Sequence, residues 1–218
     1  MVPVLYENDE IYIINKPSGL AVQGGNGVSH SLDNDFAQQV GQKVFLVHRL
    51  DKDTAGLMIV AKSAFAANKW TKLIGSKIAR KEYIAVCAGT INPKKGVIKD
   101  NLVQHGDSKA AVTYYCVEKE WSIKTADEAN PDSPDIKMSQ IRLQLETGRM
   151  HQIRIHAAEL GCPIVGDAVY GSAERDRQLR PRPSRQLLHA VELSFLHPVT
   201  KSRVTFMAPP PPDLVYAV

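Results

Sequence analysis

Long apolar runs are missing: no stretch of the 218 residues approaches the roughly 18 uninterrupted apolar side chains that mark a membrane span. An export signal is missing as well. The opening MVPVLYENDEIYIINKPSG carries acidic groups and no basic stretch ahead of its apolar residues. Both absences point to a cytoplasmic protein with no membrane partner. Cysteine is sparse: Cys87, Cys116 and Cys162 are odd in number, far apart and without CxxC spacing. That excludes a disulfide framework and a cysteine zinc site, and suits small buried thiols in a reducing compartment. His151 and His156 stand five apart, not at the i, i+4 spacing of a helical ligand pair, so no structural metal is expected. A strong net charge is also lacking. At +4 the mean charge does not by itself name a polyanionic partner. No internal repeat is visible, and 44% hydrophobic with 23% charged residues is the composition of a globular chain able to bury a sizeable core.

What is present is charge in clusters. Residues 69–81, KWTKLIGSKIARK, hold five basic side chains and no acidic one, and residues 175–185, RDRQLRPRPSR, hold five arginines. Such clustering suits a phosphate backbone, although solvated basic patches have the same appearance. Between them the chain alternates strand and helix patterns. EIYIINKPSGLAV reads as a strand entering a Pro-Gly turn, and HSLDNDFAQQVG as a short helix stopped by Gly41. VFLV and GLMIVAK are apolar runs of strand length. Ser63 can cap a helix from Ala64 to about Ile74, with Ala66, Trp70, Leu73 and Ile74 on one face. KEYIAVCAG, AAVTYYCVEKEW, QIRLQLETG, LLHAVELSFLHP and SRVTFMAP read as further strands, and Thr147 can cap a second helix closed by Gly161 and Pro163. The polar, proline-containing residues 124–139 are expected to form an exposed loop or hairpin. Strands outnumber helices, which predicts an α+β fold: a mostly antiparallel mixed central sheet flanked by helices, as one domain over residues 1–218.

Three segments could carry chemistry. VHRLDKDTAG places His48, Arg49, Asp51, Lys52 and Asp53 between two apolar strands, where charge is costly unless it is paired or used. Asp51 follows the apolar Leu50 and is the better candidate for burial, while a lone Asp after a strand is also a common turn former. In TGRMHQIRIHAAELGCPIVGDAVYG, the side chains of Arg149, His151, Arg154 and His156 cluster at a helix start and could receive phosphates, or one Arg could turn inward to a carboxylate. In RKEYIAV, Tyr83 opens a strand directly after a basic helix end. It reads as core, or as a ring face on which a base could stack.

Taken together these motifs resemble one family. NKPSGLAV, HRLDKDTAGLMIVAKS, KEYIAV, TGRMHQIRIHAAELGCPIVGDAVYG and LLHAVELSFLHP are similar, in order and spacing, to the RNA pseudouridine synthases of the RluA type, over about residues 5–209. The resemblance implies that Asp51 is the catalytic aspartate. The reaction cleaves the C1′–N1 bond of a uridine, turns the uracil and rejoins it through C5. No atoms are lost and no redox change occurs, so no cofactor is expected. The resemblance further implies that Arg154 pairs with the aspartate and that Tyr83 packs against the target base. Arg49 would enter the RNA stack and hold the extruded nucleotide out, offsetting part of an extrusion cost of a few kcal/mol. Leu188 would wall the pocket, His48 would belong to the substrate-binding set, and Arg149 and Lys16 would meet phosphates. The family motif commonly has Ser where Ala55 stands, and a small polar residue or Pro where Met150 stands; both departures bear on substrate preference.

Many members of this family begin with an S4-like RNA-binding domain. Here the motifs start almost at once, so no separate S4-like domain is expected, and RNA recognition falls to residues 69–81 and 175–185. The expected partner is a stem-loop of ribosomal or transfer RNA, met by a monomer. Two other readings compete. A non-catalytic RNA-binding protein that retains the fold would have no activity for Asp51→Asn to remove. A glycosidase or nucleosidase would release free uracil, but lacks a specified pair of carboxylates.

Overall fold

The computed structural model describes residues 1–25, 29–104, 106–124 and 134–214. The chain forms two compact units: Met1–Lys81 with His189–Pro209, and Glu82–Leu188 with Pro210–Val218. The path leaves the first unit and later returns to it, so no linker composition marks the division. Strands dominate, and both antiparallel and parallel pairings occur; the fold is α+β with mixed strand pairing, as the residue pattern predicts.

In the first unit β1 (Val4–Glu7) pairs antiparallel with β2 (Ile11–Lys16), and β2 with β4 (Ala55–Ala61). All of AGLMIVA in β4 is buried, which explains an apolar run without alternation. The other edge of β4 is shared. The short β3 (Phe45–Leu46) covers Val60 and Ala61, while β9 (Leu188–Leu196) runs parallel against Ala55 and Gly56. At that crossing Gly56 has φ +113°, and a Cβ there would lie 2.3 Å from the Ala190 carbonyl oxygen, so only glycine fits. β10 (Arg203–Met207) completes the set against β9. Helix α1 (Leu32–Val40) ends at Gly41 in the left-handed region, as the sequence suggests. Helix α2 (Ala64–Gly75) starts at Ser63, whose Oγ accepts from the Ala66 amide at 3.1 Å. It buries Ala66, Trp70 and Ile74; the Trp70 ring meets Phe195 edge-on and its Nε1 donates to Glu10 at 2.8 Å.

In the second unit the strand order is β5 (Arg80–Ala88), β8 (Ile136–Leu145), β7 (Asp107–Ile123), β6 (Lys95–Gln104). The strand β6 escapes the sequence reading because KGVIKDNLVQ neither alternates nor runs apolar. It forms by pairing residue for residue with β7, and Gly106, just ahead of β7, takes φ +85°. Of residues 124–139, expected as an exposed loop or hairpin, 136–139 belong to β8, which begins at Ile136 paired with Ile123 of β7, and Met138 and Ser139 are buried. The middle of that segment, 125–133, lies outside the described residues. The core gathers Val86, Ala88, Met138, Val165, Leu179, Leu187 and Leu214. Helix α3 (Gln152–Glu159) starts five residues after Thr147, which therefore is not its cap; α4 (Ala173–Gln178) follows. The Thr147 hydroxyl instead accepts from the Val112 amide and donates to Gln152, both at 2.8 Å. Among the described residues no helix is long and apolar enough to cross a membrane.

Candidate active site

The first unit presents Asp51 on a turn that its neighbours hold at several points. Val47 and Leu50 are buried, Arg49 is exposed and Asp51 is half-buried, so charged and apolar side chains separate to opposite sides of the segment. The Asp51 carbonyl accepts from the Thr54 amide at 3.2 Å and closes the turn. Residues 16–19 then grip it from alongside. The Gly19 amide donates to Lys52 O at 3.0 Å and the Ser18 hydroxyl to Asp53 O at 2.6 Å.

Lys16 is the centre of that grip, and this corrects its expected role. Its side chain is fully buried, and Nζ donates to the carbonyls of Pro17 (2.9 Å), Leu20 (2.8 Å) and Lys52 (2.8 Å). An ammonium with all three protons committed to backbone oxygens meets no phosphate. Burial lowers its pKa to about 8, against the opposing pull of Asp53 and Asp51. Lys16 ties the KPSG turn to the Asp51 turn.

His48, expected in the substrate-binding set, has a partner inside the first unit. Because β4 shares one edge between β9 and β3, the Ile59 amide between them lacks a strand partner, and His48 Nε2 accepts from it at 3.0 Å. The bond requires a neutral ring with its proton on Nδ1. Burial and then the nearby Lys81 charge keep it neutral, with a pKa lowered to about 4. His48 braces the segment carrying Asp51. Beside it, Val22, Gln23, Leu46, Val47, His48 and Arg49 line a cleft of about 170 Å³. Ala55, the motif departure, is buried at the start of β4 opposite His189; nothing in the structure explains the choice of Ala over Ser.

The second unit carries the remaining expected residues. Tyr83 lies buried in β5, and Leu188 is buried at the start of β9. Arg149 donates from Nε to Ala110 O at 3.0 Å, which holds it against the end of the sheet. His156 is not a cation for phosphates: it is fully buried, its Nδ1 lies 2.9 Å from the Thr113 hydroxyl, and burial lowers its pKa despite the opposing Asp100 charge. Entry into α3 is fixed by Gln152. Its Oε1 accepts from Thr147 Oγ1 (2.8 Å) and the Arg149 amide (3.0 Å), and its Nε2 donates to Val112 O (3.1 Å) and Thr113 Oγ1 (2.9 Å). His151 precedes the helix in the left-handed region, φ 54°, and its Nδ1 lies 3.2 Å from the Tyr170 hydroxyl.

Arg154 is held by a residue that sequence reasoning passed over. Asp167, in VGDAVYG, takes its guanidinium side-on, with Nε to Oδ2 at 2.7 Å and Nη2 to Oδ1 at 2.8 Å. Tyr170 lies across the guanidinium at 5.1 Å. Burial alone would raise the Asp167 pKa, but Arg154 and the amides of Tyr170 and Val169 outweigh it, and the carboxyl stays below its ordinary value. The only signal in the sequence is a carboxylate between two glycines, a pattern shared with many ordinary turns.

The arginine cluster also sorts by role. Arg175 donates to Ala88 O at 3.1 Å, and Arg185 forks onto Asp213 at 2.6 and 2.7 Å. Arg177, Arg180 and Arg182 are exposed. In the other basic cluster Lys69 is bound to Glu10 at 2.7 Å, while Lys72, Lys77 and Arg80 are exposed.

The RNA pseudouridylate synthase family matches residues 10–159 of the chain. Similar curated proteins include ribosomal large subunit pseudouridine synthase D of Haemophilus influenzae, 34% identical over 97% of this chain and 68% of that protein. The uncharacterized RNA pseudouridine synthase YjbO of Bacillus subtilis is 35% identical over 97% of this chain and 73% of its own length. Among solved structures, human RNA pseudouridylate synthase domain containing 1 aligns over 98% of this chain and 86% of that one, with TM-score 0.75 and 23% identity. Human RNA pseudouridylate synthase domain containing 4 aligns over 98% and 90%, with TM-score 0.73 and 24% identity. These two likenesses concern the fold.

Proposed function

The chain belongs to the RNA pseudouridylate synthase family and isomerises uridine to pseudouridine in RNA, and on that premise we propose that its target is ribosomal RNA and that Asp51 performs the chemistry. The observation that carries the assignment of Asp51 is the clamp around its turn: Lys16, Gly19 and Ser18 bind the backbone of residues 52 and 53, so a half-buried carboxylate is held on a fixed backbone. Catalysis depends on this kind of preorganisation. The carboxylate acts on the ribose side. The C1′–N1 bond breaks, the C1′–C5 bond forms, the C5 proton leaves and N1 gains one, so the base changes its attachment without any change of oxidation state.

Tyr83 packs against the base, Leu188 contributes an apolar wall, and Arg49, exposed two residues ahead of Asp51, fills the gap left by the extruded nucleotide. Arg154 supplies a guanidinium to the reaction, and Arg149 contacts the RNA backbone. The ribosomal target rests on the relatives' names: large subunit pseudouridine synthase D of Haemophilus influenzae and C of Rickettsia prowazekii, both 34% identical. The bacterial sources of these relatives support a cytoplasmic site of action, and a monomer suffices for the chemistry assigned.

Two experiments test this reading. Pseudouridine mapping in RNA from cells with and without the protein should show loss at a ribosomal uridine; loss confined to transfer RNA would refute the ribosomal target. Asp51→Asn should abolish product formation with RNA affinity within about twofold, because the amide keeps the shape of the side chain and loses its charge. Retained turnover would move the chemistry to another group.

A further inference from the structure

Asp167 is built into its site more firmly than a solvated ion pair requires. Its side chain is fully buried, and its two oxygens accept five hydrogen bonds: two from Arg154, one from Gln186 Nε2 at 3.1 Å, and those of the Val169 and Tyr170 amides at 2.9 and 3.1 Å. The turn that carries it leaves no room on either side. A Cβ on Gly166, which has φ +76°, would lie 2.0 Å from Arg185 O, and one on Gly171 would lie 2.3 Å from Asp167 O. Tyr170, tied to the same carboxylate through its amide, places its ring across the guanidinium.

A buried ion pair is a poor device for stability, because apolar side chains of similar volume often do as well or better. It is a good device for aim. A side-on fork fixes the plane of a guanidinium and its rotation within that plane, which a single hydrogen bond does not. With Nε and Nη2 committed, the direction of Nη1 follows.

We propose that Asp167 is the positioning residue of Arg154: by gripping the Nε–Nη2 edge, it sets the direction in which the guanidinium acts during isomerisation. The inference rests on the role assigned to Arg154 above. Asp167 touches neither substrate nor reacting atoms in this assignment and acts only through Arg154.

Asp167→Asn keeps the shape and the acceptor for the two amides but loses the charge and one acceptor oxygen. At saturating RNA the single-turnover rate is expected to fall on the order of 100-fold, the cost of a reacting group misplaced by about 1 Å. The RNA dissociation constant should stay within about twofold of wild type. A rate within about threefold of wild type overturns the inference. Should the variant not fold, Arg154→Ala supplies the second measurement. Added methylguanidinium is expected to restore activity to Arg154→Ala, because Asp167 is present to grip it side-on, and added methylammonium, which offers no such edge, is not; an equal response to the two overturns the inference. The Arg154 assignment is tested separately. Full activity of Arg154→Ala removes that assignment and this inference with it, whereas inactive Arg154 variants beside a fully active Asp167→Asn remove this inference alone.

Discussion

Replacing Lys16 by methionine should change how stability depends on pH more clearly than it changes stability at neutral pH. The folded chain holds the Lys16 pKa at about 8, against an ordinary lysine value of 10.5, because burial penalises the ammonium. Between those values the unfolded chain binds more protons than the folded one, so stability rises with pH through the window and the contribution is lost again as pH falls through about 8. The difference corresponds to about 3 kcal/mol. At pH 7 the substitution removes that burial penalty but strips the carbonyls of Pro17 and Leu20 of a hydrogen-bond donor each, at about 1–3 kcal/mol per orphaned group. These opposing effects largely cancel. The slope does not, because methionine has nothing to titrate. Urea unfolding of wild type and Lys16→Met from pH 7 to 10.5 should show the wild type gaining up to about 3 kcal/mol relative to the variant. Parallel curves would refute the reading of Lys16 as a buried cation. The same variant should lose single-turnover rate, by about 10- to 100-fold, since the Asp51 turn is deprived of its strap from Lys16 to Lys52 O.

His48→Phe leaves the Ile59 amide without its acceptor and should destabilise the fold by about 1–3 kcal/mol in denaturant unfolding. RNA affinity measured under native conditions should not change, and a large loss would return His48 to the substrate-binding set. Gly56→Ala forces a Cβ onto the Ala190 backbone at a φ of +113° and should cost more than about 3 kcal/mol, read as lost soluble expression or an early unfolding midpoint. Joint replacement of Arg177, Arg180 and Arg182 by glutamine should weaken RNA binding and flatten its salt dependence, by a slope of about 0.7 for each single-strand phosphate that is no longer neutralised. Arg185→Gln, which breaks the fork to Asp213, should leave that slope unchanged. An unaltered slope in the triple variant would exclude this arginine face from the RNA interface.

Residue type and periodicity carried the fold class and the helix boundaries at Gly41 and Ser63, because caps and burial stripes are local properties. They did not carry β6, whose strand state depends on pairing with β7 and not on its own pattern. The same division runs through the site. A lysine ahead of a Pro-Gly turn looks like a phosphate ligand and a histidine ahead of an arginine looks like a substrate contact, since a sequence displays the charge of a side chain and hides its partners. What assigns them otherwise is long-range. Lys52 O is 36 residues from Lys16, and Ile59 is 11 from His48 across a strand edge left uncovered by two neighbours. Asp167 shows the converse case, a letter that reads as an ordinary turn and becomes the grip on Arg154 only when a helix begun 15 residues earlier is packed against it. Lys16 and His48 therefore shape the backbone around the Asp51 turn, Asp167 aims a buried guanidinium, and the exposed cations beside them are left to meet RNA. That assignment follows from desolvation: a buried cation retains its charge only where protein acceptors replace water, and a cation whose protons are held by those acceptors has none to offer a substrate.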